Sequence, residues 1–325
     1  MNIFHEEEIR NFVKVNSKAI EIVEDGFSAL AKGNVTLPPI MRVDLPEHHG
    51  EVDVKTAYIK GLDSFAIKIS SGFFNNPSLG LPSLSGMMIL FQTRTGLTES
   101  ILLDNGYLTD VRTAAAGAVA AKYLAKSQVK CVGVIGTGVQ ARYQIEALSY
   151  VRDFRTIYVY GRNEESVQSY AKDMELKLGK KVIVAKSVEE VVKESEIVIT
   201  TTPSTEPLIK AEWLHPGLHI TAMGSDAEHK QELDSSIFKQ ADIVVCDVKE
   251  QCFRLGELHH ALEQNILSVE DSTILEIGEL TAGLKKGRQN DQQITVCDLT
   301  GTGVQDTVIA RFANSQLVEY KKLQV

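Results

Sequence analysis

The chain has 325 residues, enough for two domains of ordinary size, and a 43% hydrophobic share that supports a real core. Its formal net charge of −9 makes a polyanion such as nucleic acid an unsuitable partner. No apolar run is long enough to span a bilayer, and the acidic start MNIFHEEEIR lacks the basic end and apolar run of a signal peptide, so a cytoplasmic protein is expected.

Residues 6–32 place apolar side chains at helical spacing and stop at Gly33, which predicts one or two amphipathic helices. Two prolines follow, then the alternating stretches VDVKTAYI and FAIKIS, which read as strands. Gly- and Pro-rich turns and the run MMILF continue this α+β module to about residue 106. Residues 110–125, DVRTAAAGAVAAKYLA, form an Ala-rich helix whose small side chains would let it lie close to a neighbouring backbone.

The stretch around which the chain is organised is KCVGVIGTGVQAR, residues 130–142. A short apolar strand runs into Gly136, Gly138 and Ala141 in the pattern G-x-G-x-x-A. The first Gly permits a tight turn, the second lets backbone approach a pyrophosphate, and the Ala lets the helix pack close. The helix N-terminus supplies free N–H groups and the positive end of its dipole.

From there to about residue 300 strands and helices alternate: TIYVY, KVIVA, EIVITT, LHITAM, DIVVC and QITVCDL are the strands, with helices over 164–178 and 188–194. Alternating elements with continuous apolar strands predict a Rossmann-type α/β fold, a doubly wound parallel sheet. A last helix over 303–313 returns the chain toward the first module. The expected organisation is therefore a dinucleotide-binding domain, 119–304, inserted in a smaller α+β substrate-binding and dimerisation domain, 1–118 plus 305–325.

A strand that ends in an acid about 20 positions past the motif favours NAD. Here TIYVY is followed by Gly161, Arg162 and Asn163, with no carboxylate for the ribose 2′-hydroxyl. Arg162 could pair with a 2′-phosphate or stack on the adenine, which favours NADP over NAD. Thr201 and Met223, at the carboxyl ends of their strands, complete the candidate cofactor set. The four cysteines (Cys131, Cys246, Cys252, Cys297) and the pairs His48–His49 and His259–His260 lack metal spacing, so no metal is expected.

With LTDVRTAAAGAVAAKYLA directly before GVIGTGVQAR, together with PPIMR, FAIKIS, AMGSDAEHKQEL and CDLTGTG, the chain resembles the ornithine cyclodeaminase/μ-crystallin family over nearly its whole length. GEVDVKTAYIKGLDSFAIKIS and LLDNGYLTD resemble the subgroup labelled ectoine-utilisation cyclodeaminases, which includes iminosuccinate reductases. The resemblance implies homodimers built through the first module and a small imino or amino acid held between that module and the nicotinamide. Residue by residue, Arg42, Lys68 and Arg112 match the family's substrate-carboxylate cluster, and Asp226 matches its catalytic aspartate. Lys68 is counted with Asp226 in the catalytic pair. Thr113 and the loop Gly136, Thr137, Gly138, Val139, Gln140 and Ala141 match the pyrophosphate site, and Gly301 lies in the turn by the nicotinamide.

The residues themselves carry part of this. Arg112 interrupts an Ala-rich helix face and Lys68 interrupts an apolar strand, and a charge is costly in either place unless it meets an anion. Asp226 follows LHITAMGS at the carboxyl end of a strand, where open α/β sheets place ligands; a helix cap is the plain alternative. Ornithine-specific members carry a glutamate where this chain has Lys55, and a base there should repel a diamine and favour a second carboxylate. The expected activity is an NAD(P)H-dependent ketimine reductase forming an L-α-amino acid, iminosuccinate to aspartate first and Δ1-pyrroline-2-carboxylate to proline second. The alternatives are an ornithine cyclodeaminase-type ammonia lyase and a non-catalytic, crystallin-like NADP-binding protein.

Overall fold

The structure, a computed structural model, describes residues 1–323. It divides into two compact units: Met1–Arg112 with the C-terminal stretch from Thr302, and Thr113–Gly301. The junctions fall at 112/113 and 301/302 rather than at 118/119 and 304/305. The reason is visible at the first of them: the Arg112 side chain pairs with Asp306 of the first unit, whereas the Thr113 carbonyl accepts from Gln144 of the second.

The first unit opens with strand β1 (Asn2–His5) and helices α1 (Glu6–Phe12) and α2 (Ser17–Ala31). Asn16 caps α2 by accepting from the Ala19 N–H at 3.0 Å, and Gly33 ends it in the left-handed region. Strands β2 (Val35–Thr36), β3 (Met41–Leu45), β4 (Gly50–Ile59), β5 (Ser64–Phe73), β6 (Leu84–Gln92) and β7 (Thr98–Leu103) follow. They form one sheet in the order β1-β7-β6-β5-β4-β2 with β3 on β4, antiparallel except where β1 joins β7. Alternation in β4 to β6 sends Lys55, Ala57, Ala66, Lys68, Met88 and Leu90 to a buried face. The C-terminal helix, Gly303–Leu323, packs on β4, β5 and α2. It runs ten residues past the expected end, because Asn314 and Leu317 are also buried against this unit. Ser100 donates to the Asn314 side chain at 2.6 Å.

Helix α3 (Tyr107–Leu124) begins in the first unit and continues into the second. The second unit contains β8 (Cys131–Ile135), α4 (Val139–Leu148), β9 (Thr156–Tyr160), α5 (Glu164–Leu178), β10 (Lys181–Val184), α6 (Val188–Glu194) and β11 (Ile197–Thr200). After these come β12 (Thr205–Ile209), β13 (His219–Ala222), β14 (Gln231–Leu233), β15 (Ile243–Cys246), β16 (Leu275–Glu276) and β17 (Thr295–Asp298), with short helices between. The main sheet is parallel throughout, in the order β10-β9-β8-β11-β13-β17-β15-β16. This is the Rossmann-type architecture expected from the alternating pattern. The side pair β12–β14 was not foreseen, since the exposed TEP of β12 carries no strand-like apolar run. Strand order reverses between β8 and β11, so their carboxyl ends open a crevice at the switch point. Among the described residues no helix is long and apolar enough to cross a membrane.

Candidate active site

The cofactor end is built at that switch point. Gly136 ends β8 with φ 117°, and a Cβ there would lie 2.5 Å from the Thr201 hydroxyl, so only glycine fits. Its N–H donates to the Tyr160 carbonyl at 2.9 Å, and the Thr201 N–H donates to Ile135 at 2.9 Å. The loop is thus tied to the ends of both neighbouring strands. Gly138 caps α4, and a Cβ on it would meet no protein atom within 4 Å. Nothing in the protein demands that glycine; the open side faces the approach that a pyrophosphate needs. Ala141 is fully buried beneath Tyr170, whose hydroxyl donates to its carbonyl at 3.2 Å. Val139 is exposed at the helix start, and the Gln140 side chain accepts from Gln144 at 3.3 Å. Arg142 was missed by sequence reading: it donates to the Thr137 and Gly138 carbonyls and pairs with Asp173, holding the loop from beneath.

At the end of β9, Gly161 lies against the Thr137 methyl, Arg162 is exposed, and Asn163 caps α5 by accepting from Ser166 at 2.8 Å. The Asn163 oxygen is therefore used by the helix. Thr113 offers its carbonyl to Gln144 at 3.0 Å. No acid stands beside Arg162 in this turn. These residues fit a nicotinamide dinucleotide: a phosphate loop with an open cradle and a ribose turn without a carboxylate.

Three further loops at the same end of the sheet are held by buried carboxylates that sequence reading did not single out. Glu232 accepts from the Thr200 hydroxyl (2.6 Å), the Thr202 N–H (2.6 Å) and hydroxyl (2.7 Å), and the Gly224 N–H (2.8 Å). It so fixes the loops after β11 and β13, where Thr201 and Met223 sit. The Met223 N–H donates to Thr200 at 3.1 Å. Asp247 accepts from the Gly301 N–H at 2.6 Å and the Thr300 hydroxyl at 3.0 Å, fixing the turn after β17. Gly301 takes φ 81° there. Behind them Glu257 accepts from the Glu232 and Leu233 N–H groups, and Asp298 accepts from Leu258 at 3.0 Å. Burial pushes the Asp298 carboxyl up to about 8 and the Glu257 carboxyl well above its usual range.

Asp226 stands in the loop after β13 with its carboxylate partly exposed, 2.6 Å from the Lys230 ammonium, itself nearly buried. The Lys230 carbonyl is met by the Ser225 hydroxyl at 2.6 Å and the His260 ring at 2.8 Å. Asp226 is thus placed beside a cation rather than used as a helix cap.

The charged cluster of the first unit lies on the buried sheet face. Lys68 on β5 is directly opposite Lys55 on β4, and both side chains are buried. Asp306, in the first turn of the C-terminal helix, lies 3.3 Å from the Lys68 ammonium and 3.0 Å from Arg112 Nε. Arg112 Nη1 donates to the Gln305 side chain at 3.1 Å. Burial pulls Lys68 down to about 7, with Asp306 opposing the fall. Burial likewise lifts Asp104, which caps the start of α3 through the Leu108 N–H, to about 7. Arg42 shares this sheet face but stands opposite Asp53, and its guanidinium is taken up by Asp44, Glu51 and Asp53. The structure thus groups Lys68, Arg112 and Lys55, keeps Arg42 with the acids of its own hairpin, and adds Asp306, Gln305 and Asp104. Asp306 was missed because a lone acid in a helix first turn reads most simply as dipole compensation.

A family model described as the ornithine cyclodeaminase/mu-crystallin family matches residues 2–321. Among solved structures, the chain is similar to Δ(1)-pyrroline-2-carboxylate reductase of Thermococcus litoralis in complex with NADH and L-proline (TM-score 0.94, 29% identity, 99% of this chain and 98% of that one). It is similar to an archaeal alanine dehydrogenase dimer with bound NAD (TM-score 0.91, 34% identity, 99% and 97%). It is also similar to the iminosuccinate reductase of Paracoccus denitrificans in complex with NAD+ (TM-score 0.89, 28% identity, 99% and 97%).

Proposed function

The chain belongs to the ornithine cyclodeaminase/mu-crystallin family, and on that premise we propose that it is an NAD(P)H-dependent imine reductase that converts iminosuccinate to L-aspartate. The observation that carries the substrate is the buried cation group: Lys55 directly opposite Lys68, with Arg112 joined to Lys68 through Asp306. A dicarboxylic imine carries two carboxylates, one for each end of such a row of cations.

In this reading Arg112 and Lys68 hold the α-carboxylate and Lys55 holds the distal one. Asp226, with Lys230 at 2.6 Å, holds and delivers the proton that the imine nitrogen gains as the C=N bond becomes C–N. The nicotinamide, when bound, supplies the hydride for the carbon. The loop at Gly136–Ala141, anchored by Arg142 and Thr201, is the pyrophosphate site, and the turns fixed by Glu232 and Asp247 border the nicotinamide. NAD(H) is supported by the cofactors named with the three solved structures, and the exposed Arg162, in a turn (residues 161–163) that itself holds no acid, admits NADP(H) as well.

A homodimer through the first unit fits the sheet. Its outer face carries Phe65, Ile67, Ile69, Met87, Ile89 and Phe91, half-buried, with Met41 and Val43 exposed at its edge. A contiguous apolar face of this kind marks an interface, and an archaeal relative is described as a dimer.

The test is NADH and NADPH oxidation against iminosuccinate, Δ1-pyrroline-2-carboxylate and the imine of pyruvate, with ornithine plus NAD as the lyase control. Iminosuccinate should be reduced with the highest kcat/KM. The cyclic imine is the second reading, favoured by the likeness to the Thermococcus enzyme. Faster turnover of it would replace the first.

A further inference from the structure

Asp306 is fully buried, and its two oxygens lie against cations. Both are committed to ion pairs, Oδ2 with Lys68 at 3.3 Å and Oδ1 with Arg112 Nε at 3.0 Å. A buried carboxylate is costly unless its cations are held in register with it. Three separate elements meet to provide that register: β5, α3 and the C-terminal helix. The helix is itself pinned to the sheet, since the Thr307 hydroxyl donates to the Ala57 carbonyl at 2.8 Å.

We propose that Asp306 is a positioning residue of the substrate-carboxylate site: it sets the Lys68 ammonium and the Arg112 guanidinium side by side, so that one carboxylate can meet both. This rests on the imine-reductase reading above. Arg112 is held on two edges, Nε by Asp306 and Nη1 by Gln305, which fixes the plane in which its remaining donors lie. Gln305 is fixed in turn, because its oxygen also accepts from the Thr302 N–H at 3.3 Å. Two consecutive residues of one helix turn thus orient a guanidinium that substrate would otherwise have to order on binding.

Asp306 also governs the charge of Lys68. The ionisable groups around that ammonium are Asp306 from the C-terminal helix, Arg112 from α3, Lys55 from β4 and Asp104 from the segment before α3. Burial, Arg112 and Lys55 all disfavour the ammonium, and Asp306 is its nearest support. Removing that charge makes Lys68 lose its proton at lower pH than it does now.

The experiment compares wild type, Asp306→Asn and Asp306→Glu at saturating NADH, reading KM for the imine, kcat and the pH profile, with melting and NADH affinity as checks of folding. Asp306→Asn should raise KM roughly tenfold above neutral pH, the effect of losing one charge-assisted alignment. The kcat should change less, NADH affinity should hold, and the alkaline limb of kcat/KM should move to lower pH. Asp306→Glu keeps the charge and displaces it, so it should raise KM while leaving that limb in place. A folded Asp306→Asn protein with unchanged KM and an unmoved limb overturns the proposal. Should Asp306→Asn not fold, an unchanged KM in Asp306→Glu overturns it instead. If wild type reduces no imine, the reading of function fails separately. The Lys68 titration, followed by NMR on lysine-labelled protein, then decides the case for Asp306: a fall in Asp306→Asn supports it and no change refutes it.

Discussion

If the substrate is the proposed dicarboxylic imine, Lys55 is the residue that distinguishes it, and its position gives the size of the effect. It lies directly opposite Lys68 in an antiparallel pair, so the two Cβ atoms are about 5 Å apart on one buried face. A four-carbon dicarboxylate placed with one end on Lys68 and Arg112 brings its other end within reach of Lys55. At about 5 Å and an effective dielectric of about 20, that contact is worth roughly 3 kcal/mol before desolvation. Replacing Lys55 with methionine, which keeps length and removes charge, should cost about 2–3 kcal/mol in transition-state binding of iminosuccinate. That is a fall of roughly 30- to 150-fold in kcat/KM. Lys55→Glu adds repulsion and should cost about 2–4 kcal/mol. It also sets a carboxylate opposite Lys68, which competes for the ammonium that any α-carboxylate uses. The cyclic monocarboxylic imine should therefore lose little with methionine and somewhat more with glutamate. Steady-state NADH oxidation with both imines and all three proteins decides the matter. If methionine lowers both substrates alike, Lys55 does not read the side chain and the dicarboxylate assignment has lost its physical basis.

Arg162→Ala should raise the KM for NADPH roughly ten- to a hundredfold and that for NADH far less, because a 2′-phosphate loses its one cation in the turn after β9; equal effects would refute this. Asp226→Asn should retain cofactor binding and lose about 10²–10⁴-fold in turnover, whereas normal turnover in a folded protein would remove it from the proton path. Glu232→Gln offers two amide hydrogens to a site built of four donors, so about 3 kcal/mol should be lost and the melting temperature should fall by roughly 6–12 °C. A melting temperature within a degree or so of wild type would show that the buried carboxylate does not hold the loops after β11 and β13.

The second unit was the more legible part. Its central strands β8, β11, β13, β15 and β17 are buried, so they write themselves as largely apolar runs, and the glycines at 136 and 138 stand where strand gives way to helix. The first unit was legible as alternation in β4 and β5, because one face packs on helices and the other does not. What alternation leaves out is register. The stretches VDVKTAYI and FAIKIS each contain a lysine, but only the pairing of the strands puts Lys55 opposite Lys68. Arg42 shows the converse: its identity matched a carboxylate-binding residue, yet β3 and β4 surround it with Asp44, Glu51 and Asp53.

The acids that organise the site were the least legible, and for one physical reason. A buried carboxylate is recognised by its partners, and the partners here come from distant segments: Asp306 meets Lys68 and Arg112, Glu232 meets Thr200, Thr202 and Gly224, and Asp247 meets Thr300 and Gly301. In the sequence each is an unremarkable acid in a helix first turn, a short strand or a strand end. In the structure Glu232 and Asp247 sit under loops at the carboxyl end of the parallel sheet, and Asp306 sits under the cations of the antiparallel one. On the proposed reading all three do the same work, giving buried charge fixed partners so that groups aimed at ligand need not be ordered when ligand arrives. The residues proposed to face ligand carry the recognisable motifs, while the acids behind them are identified only by what the fold brings to them.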